Sequence, residues 1–81
     1  MDGINEMRER QISELAGLCA CVEGGDWEKA KRLSSAIDPG GYEVEGWRDL
    51  LHILRWQVRQ QMRERSVETI RLLVAELKGE Y

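Results

Sequence analysis

Eighty-one residues carry 12 Lys and Arg against 15 Asp and Glu, a net charge of −3, so bulk attraction to a polyanion is excluded as the default mode of action. A domain of this size hides only about 60 to 65% of the surface its unfolded chain exposes, which leaves a thin core and little room to cover every side of any one helix. Phe is absent, one proline occurs, and no apolar run approaches the roughly 20 residues that span a bilayer, which argues against many short strands and against a transmembrane helix.

The chain opens Met-Asp-Gly-Ile-Asn-Glu, with no basic segment leading into a hydrophobic run. The expectation is a cytoplasmic protein that does not associate with membranes. Residues 4–23 read as a first helix, because Ile4, Ile12, Leu15, Leu18, Cys19 and Val22 fall in one sector at about 100° per residue. Gly24 and Gly25 stop it. Asp26 is a natural N-cap for a second helix that runs to about Ile37, with Trp27, Ala30, Leu33, Ser34 and Ile37 on one face. Asp-Pro-Gly-Gly at 38–41 ends that helix, since proline lacks an N–H donor and glycine permits positive φ. A short acidic loop at residues 42–45 follows.

Cys19 and Cys21 are the only cysteines. Two positions apart on a helix, their side chains point about 200° apart, which intrachain disulfide geometry does not allow. Both are expected as reduced thiols, Cys19 packed as a small apolar residue and Cys21 exposed or at an interface. With His52, the lone histidine, they fall short of a zinc ligand set, and no metal or cofactor is expected.

In residues 15–39, Ala16-Gly17 falls late in one helix, Gly25-Asp26-Trp27-Glu28-Lys29-Ala30 opens the next, and Asp38-Pro39 closes it; this segment resembles one tetratricopeptide-type helical hairpin. The likeness covers under a third of the chain, Ser34 stands where a large side chain is usual, and no second copy follows at the repeat period, so no family is assigned. What the resemblance implies is a peptide- or protein-binding role.

Residues 45–78 are rich in Arg, Gln, Leu and Glu, with no glycine between Gly46 and Gly79. As one helix they would reach roughly 50 Å. A compact globule of this length is nearer 30 Å across, from an expected radius of gyration of about 12 Å. Trp47, Leu51, Leu54, Val58 and Met62 share one face, whereas Ile70, Leu73, Val74 and Leu77 share another, turned by roughly 100° if the helix stays straight. A break near residues 63–66 resolves the conflict, with Ser66 and Glu68 as the candidate cap of a new helix. The alternative is a continuous helix whose halves face different neighbours.

Residues 50–58, Leu-Leu-His-Ile-Leu-Arg-Trp-Gln-Val, are apolar around most of a helix's circumference. Ile53 and Trp56 project well outside the stripe of Leu51, Leu54 and Val58. Either helices one and four cover them from both sides, or they anchor a partner, since buried aromatic residues tend to dominate binding energy. Beside them run Arg48, His52, Arg55, Arg59 and Arg63, within about 80° of arc on an unbroken helix. Residues 46–65 carry a net +3, which leaves −6 on the rest of the chain. That stripe is a solvated face paired with acids such as Glu14, Glu28 or Glu43, or it meets an acidic protein surface, or it holds phosphates through the guanidinium fork.

No catalytic residue is assigned. Ser13, Ser34, Ser35 and Ser66 stand in no nucleophile-elbow context, and no glycine-rich phosphate loop exists. Glu45, Asp49 and His52 form the best acid/base or metal cluster, with no second helix supplying complementary ligands. Trp27 and Trp47 lie on core stripes and serve packing.

The sequence therefore predicts a single all-α domain over residues 1–81, a small antiparallel bundle of three to four helices whose C-terminal segment is long or kinked near 63–66. Its expected function is non-enzymatic: a protein-interaction module, whether adaptor, small chaperone or inhibitor, acting by occlusion or scaffolding through the helix at 47–63. Ile53, Trp56, Arg55, Arg59 and Arg63 are the expected contacts, and the partner is a protein with an acidic surface, a second copy, or both. Nucleic-acid binding through Arg48, Arg55, Arg59 and Arg63 is the alternative.

Overall fold

A computed structural model describes residues 2–37 and 46–79, with side chains from Glu6 onward except Met7. Four helices make up nearly all of it: α1 (Asp2–Gly24), α2 (Trp27–Ala36), α3 (Trp47–Arg59) and α4 (Arg63–Lys78). Each packs against two others, α1 on α2 and α4, and α3 on α2 and α4. With short links at both hairpins, this is an antiparallel up-and-down bundle about 37 Å long and 20 × 19 Å across.

The sectors expected from periodicity meet along one axis. Leu15, Leu18 and Val22 of α1, Ala30 of α2, Ile37 just beyond α2, Trp47, Leu51, Leu54 and Val58 of α3, and Ile70, Leu73 and Leu77 of α4 are all buried. Ile12, Cys19, Trp27, Leu33, Leu50 and Val74 pack against them from the rim. Ile4 of the expected α1 stripe lies outside the described side chains, as do residues 38–45 with their acidic loop and Glu45.

The α1–α2 link follows directly from three residues. Asp26 N–H donates to Cys21 O at 2.9 Å and Gly25 N–H to Val22 O at 3.2 Å. This paired closure requires a left-handed residue just past the helix end, which Gly25 supplies at φ +78°. Asp26 then turns from closing one helix to opening the next, its side chain accepting from Lys29 N–H at 3.3 Å.

The break between α3 and α4 falls at residues 60–62 rather than 63–66. Met62 N–H donates to Gln57 O and Gln61 N–H to Val58 O, both at 3.0 Å, which repeats the closure seen at Gly25. Here the left-handed position belongs to Gln61 at φ +56°, without a glycine to advertise it. Met62, not Ser66, is the N-cap of α4, and it makes no side-chain cap bond. Ser66 instead sits inside α4, fully buried, with its Oγ unpaired.

A buried hydrogen bond ties α3 to α4 at one level. The Thr69 hydroxyl donates to Gln57 Oε1 at 2.6 Å, and both residues are buried. Burying such a pair costs little only while both groups stay bonded.

Candidate functional site

Helix α3 has two unlike faces. On the inner one Trp47, Leu51, Leu54 and Val58 are completely buried, whereas on the outer one Ile53 is 45% and Trp56 55% exposed. Its flanking helices are α2 and α4, not α1 and α4. Neither reaches around far enough to cover those two side chains, although Leu50, nearer to α4, is half-buried. Leu72 of α4, 55% exposed, is the third large hydrophobic left open among the described residues. It carries no periodic signal, because it stands alone, about 200° from Ile70 on an otherwise polar side of α4.

The basic stripe is partly dismantled by the fold. Arg55 turns toward α2, where its Nε donates to Ser34 O at 3.1 Å and its Nη2 to Ile37 O at 2.9 Å and Ser35 O at 3.4 Å. Helix α2 ends with no basic residue in its last turn, so this guanidinium satisfies carbonyls that the helix itself leaves open. Arg63 leaves the stripe altogether. The break at 60–62 moves it to the opposite side of α4, beside Gly25, along an open groove of about 320 Å³ shared with Glu23, Glu64, Val67, Glu68 and Arg71. Arg48, His52 and Arg59 remain exposed on α3.

His52, Arg55, Trp56 and Arg59 together line a cavity of about 220 Å³ on the outer side of α3. Spacings of three and four residues stack these side chains over successive turns, which is why a helix can build a pocket from one stretch of chain. Among the described residues Arg59 has no ion pair or hydrogen-bond partner. Of the acids expected to neutralise the stripe, Glu28 pairs with Lys31 at 3.8 Å within α2, Glu14 sits on α1, and Glu43 lies outside the described residues. Charge is divided accordingly. Residues 46–79 hold seven basic and four acidic side chains, net +3, so the remainder of the chain carries −6.

The cysteines are both unbridged and partly buried on α1. The Cys19 thiol donates toward Glu23 Oε1 at 3.4 Å. Burial raises its pKa above the ordinary value, and the hydrogen bond and negative charge of Glu23 raise it further against the opposing pull of Arg71. That environment keeps the sulfur protonated and unreactive. No three of the described His, Cys, Asp and Glu residues group together as metal ligands, and no helix among them is long and apolar enough to cross a membrane.

No protein-family model, curated protein or solved structure matches this chain.

Proposed function

We propose that this protein is a non-enzymatic interaction module that binds another protein through the outer face of α3, acting by occlusion or scaffolding as an adaptor, a small chaperone or an inhibitor. The reading rests on one observation: Ile53 and Trp56 are exposed on a helix whose opposite face is completely buried. Exposed apolar side chains that lie together carry a hydration cost which contact with a partner removes, and an aromatic anchor ringed by polar groups is the usual centre of such a contact. Arg59, with Arg48 about three turns away on the same side of α3, steers a partner whose surface is acidic. Arg55 contributes by holding the end of α2 against α3 rather than by reaching outward.

Cross-linking from a photoreactive group at Gln60, in cells that express the chain, identifies what covers this face, and Trp56→Ala should reduce that capture at least tenfold while the helical circular-dichroism spectrum stays unchanged. Unfolding of Trp56→Ala, or undiminished capture, would remove the proposal.

An indole set among two guanidinium groups and an imidazole also suits a stacked base and its phosphate, which keeps single-stranded nucleic acid as a second reading. It predicts affinity that falls steeply between low and moderate salt and is lost on Arg59→Glu. The net −6 outside residues 46–79 weighs against it.

A further inference from the structure

The two flanks of α3 differ in charge, and the one toward α2 is basic. Arg55 fixes which side that is, because its guanidinium reaches the Ser34, Ser35 and Ile37 carbonyls at the end of α2. At about 100° per residue Arg48, His52, Arg55 and Arg59 fall within about 60° of arc on that flank, and Trp56 stands about 40° beyond them, opposite the core. Asp49, the one acid of α3, lies outside that arc and about two turns before Trp56. Helices α2 and α3 each carry three basic and one acidic side chain, net +4 in a chain that is net −3. Their charges meet along the seam. Arg59, one turn on from Arg55, comes about level with Lys31, one turn back from Ser34 and Ser35 on the antiparallel α2.

We infer that this α2-side flank of α3 receives an extended acidic segment of a partner protein, one of whose carboxylates enters the cavity lined by His52, Arg55, Trp56 and Arg59. This rests on the proposed interaction role and names the partner's chemistry and the flank that reads it. Arg55 is a donor already held in place. Three carbonyls take its Nε and Nη2, while its Nη1 has no partner among the described residues and the side chain lines the cavity. A guanidinium anchored in this way loses little further freedom when it meets a carboxylate. His52 and Arg59, about one turn to either side, bring further N–H groups, and none of the four lining side chains is acidic. Spacing selects an extended chain. Arg48, His52, Arg55 and Arg59 succeed one another along α3 at about 4.5–6 Å, near the roughly 6.6 Å between alternate residues of a strand, so acids at every second position meet successive cations. A docked helix would need an apolar stripe to lie on, and of the large exposed hydrophobics only Trp56 lines this cavity.

The test titrates the full chain by calorimetry with a capped peptide of about nine residues that carries Glu at alternate positions, Ser between them and one central Leu. A matched peptide with Gln replacing every Glu is the control. The expected result is saturable binding of the Glu peptide and at least tenfold weaker binding of the Gln peptide. Arg59→Gln should weaken the Glu peptide about tenfold and Trp56→Ala severalfold. Arg65→Gln and Leu72→Ala, both on α4 and away from α2, should leave its affinity unchanged.

Equal binding of both peptides, or no binding of the Glu peptide at millimolar concentration, overturns the inference. So does an equal loss from Arg65→Gln and Arg59→Gln, which would make the attraction diffuse. If cross-linking from position 60 captures a partner that Trp56→Ala releases and Arg59→Gln does not, contact through α3 stands and the acidic segment does not. The chain has acids of its own in residues 38–45, namely Asp38, Glu43 and Glu45. Binding of the Glu peptide by a chain carrying Asp38→Asn, Glu43→Gln and Glu45→Gln, but not by the native chain, assigns the cavity to those acids and removes the partner. Displacement of the Glu peptide by single-stranded oligonucleotide, with the steep salt dependence of phosphate contacts, assigns the flank to nucleic acid instead.

Discussion

Among the described side chains, the α1–α2 hairpin keeps its large apolar ones inside or against the core, whereas the α3–α4 hairpin leaves Ile53, Trp56 and Leu72 at 45%, 55% and 55% exposure. Both are closed by the same pair of backbone hydrogen bonds, one around Gly25 and the other around Gln61. Charge separates them as well, because residues 46–79 are net positive in a chain that is net negative. Identical connections thus serve different ends. The first hairpin completes a core, and the second completes the same core while presenting apolar and basic groups outward.

The sharpest way to break that comparison lies within α3, where Trp47 and Trp56 stand nine positions apart and therefore on opposite faces. Trp47 is completely buried, so Trp47→Ala should cost about 3–5 kcal/mol in urea unfolding and leave little folded protein. Trp56→Ala should cost under about 0.5 kcal/mol in the same assay. Comparable losses at both sites would make Trp56 a core residue and erase the distinction between the faces.

Next in size is Arg55, which the sequence offered as a contact residue and the fold uses to hold α2. Arg55→Met keeps the aliphatic stem but removes the donors to Ser34, Ser35 and Ile37, and should cost about 1–2 kcal/mol of stability. A variant of unchanged stability with lost partner capture would return Arg55 to the interface.

The two turns offer a matched pair of opposite sign. Gly25→Ala forces a side chain into the left-handed region and should destabilise by about 1–2 kcal/mol. Gln61→Gly relieves the same strain where it already exists, and should stabilise by about 0.5 kcal/mol after the greater freedom of glycine in the unfolded chain is subtracted. Thermal melts of the two variants check both signs.

The smallest effect concerns Cys19. Its thiol titrates above the ordinary value of 9.0 in the folded chain, so the stabilisation it contributes is fully present below that pH and is lost as pH rises through the folded value. Alkylation at pH 8 should be slower at Cys19 in the native protein than in urea. Glu23→Gln should narrow the gap, since it removes the negative charge.

Much of the bundle was legible in the residues. The helical sectors of α1 and α2, the stop at Gly24 and Gly25 and the cap at Asp26 all depend on local chemistry, and each appears where periodicity and capping place it. The phase slip between Val58 and Ile70 announces a break near residues 63–66, and the turn falls some three residues earlier. Ser66 looked like a cap because serine caps helices in general, while the actual turn uses Gln61, whose type carries no such signal. The stripe of arginines holds only on an unbroken helix, and the turn at residues 60–62 takes Arg63 out of it. Leu72 was invisible, because one apolar residue on a polar face has no period.

What the sequence determined alone is the all-α class, the apolar surplus of α3 and the division of charge along the chain, since these depend on composition and on spacing within single helices. Which arginine would brace a neighbouring helix, which would face solvent, and whether Ile53 and Leu72 would stand at one level were decided only in the tertiary structure. Those outcomes turn on the rotation and level of one helix against another, and these are set by the closure at Gln61 and the Gln57–Thr69 bond, contacts between residues that no single-helix pattern relates.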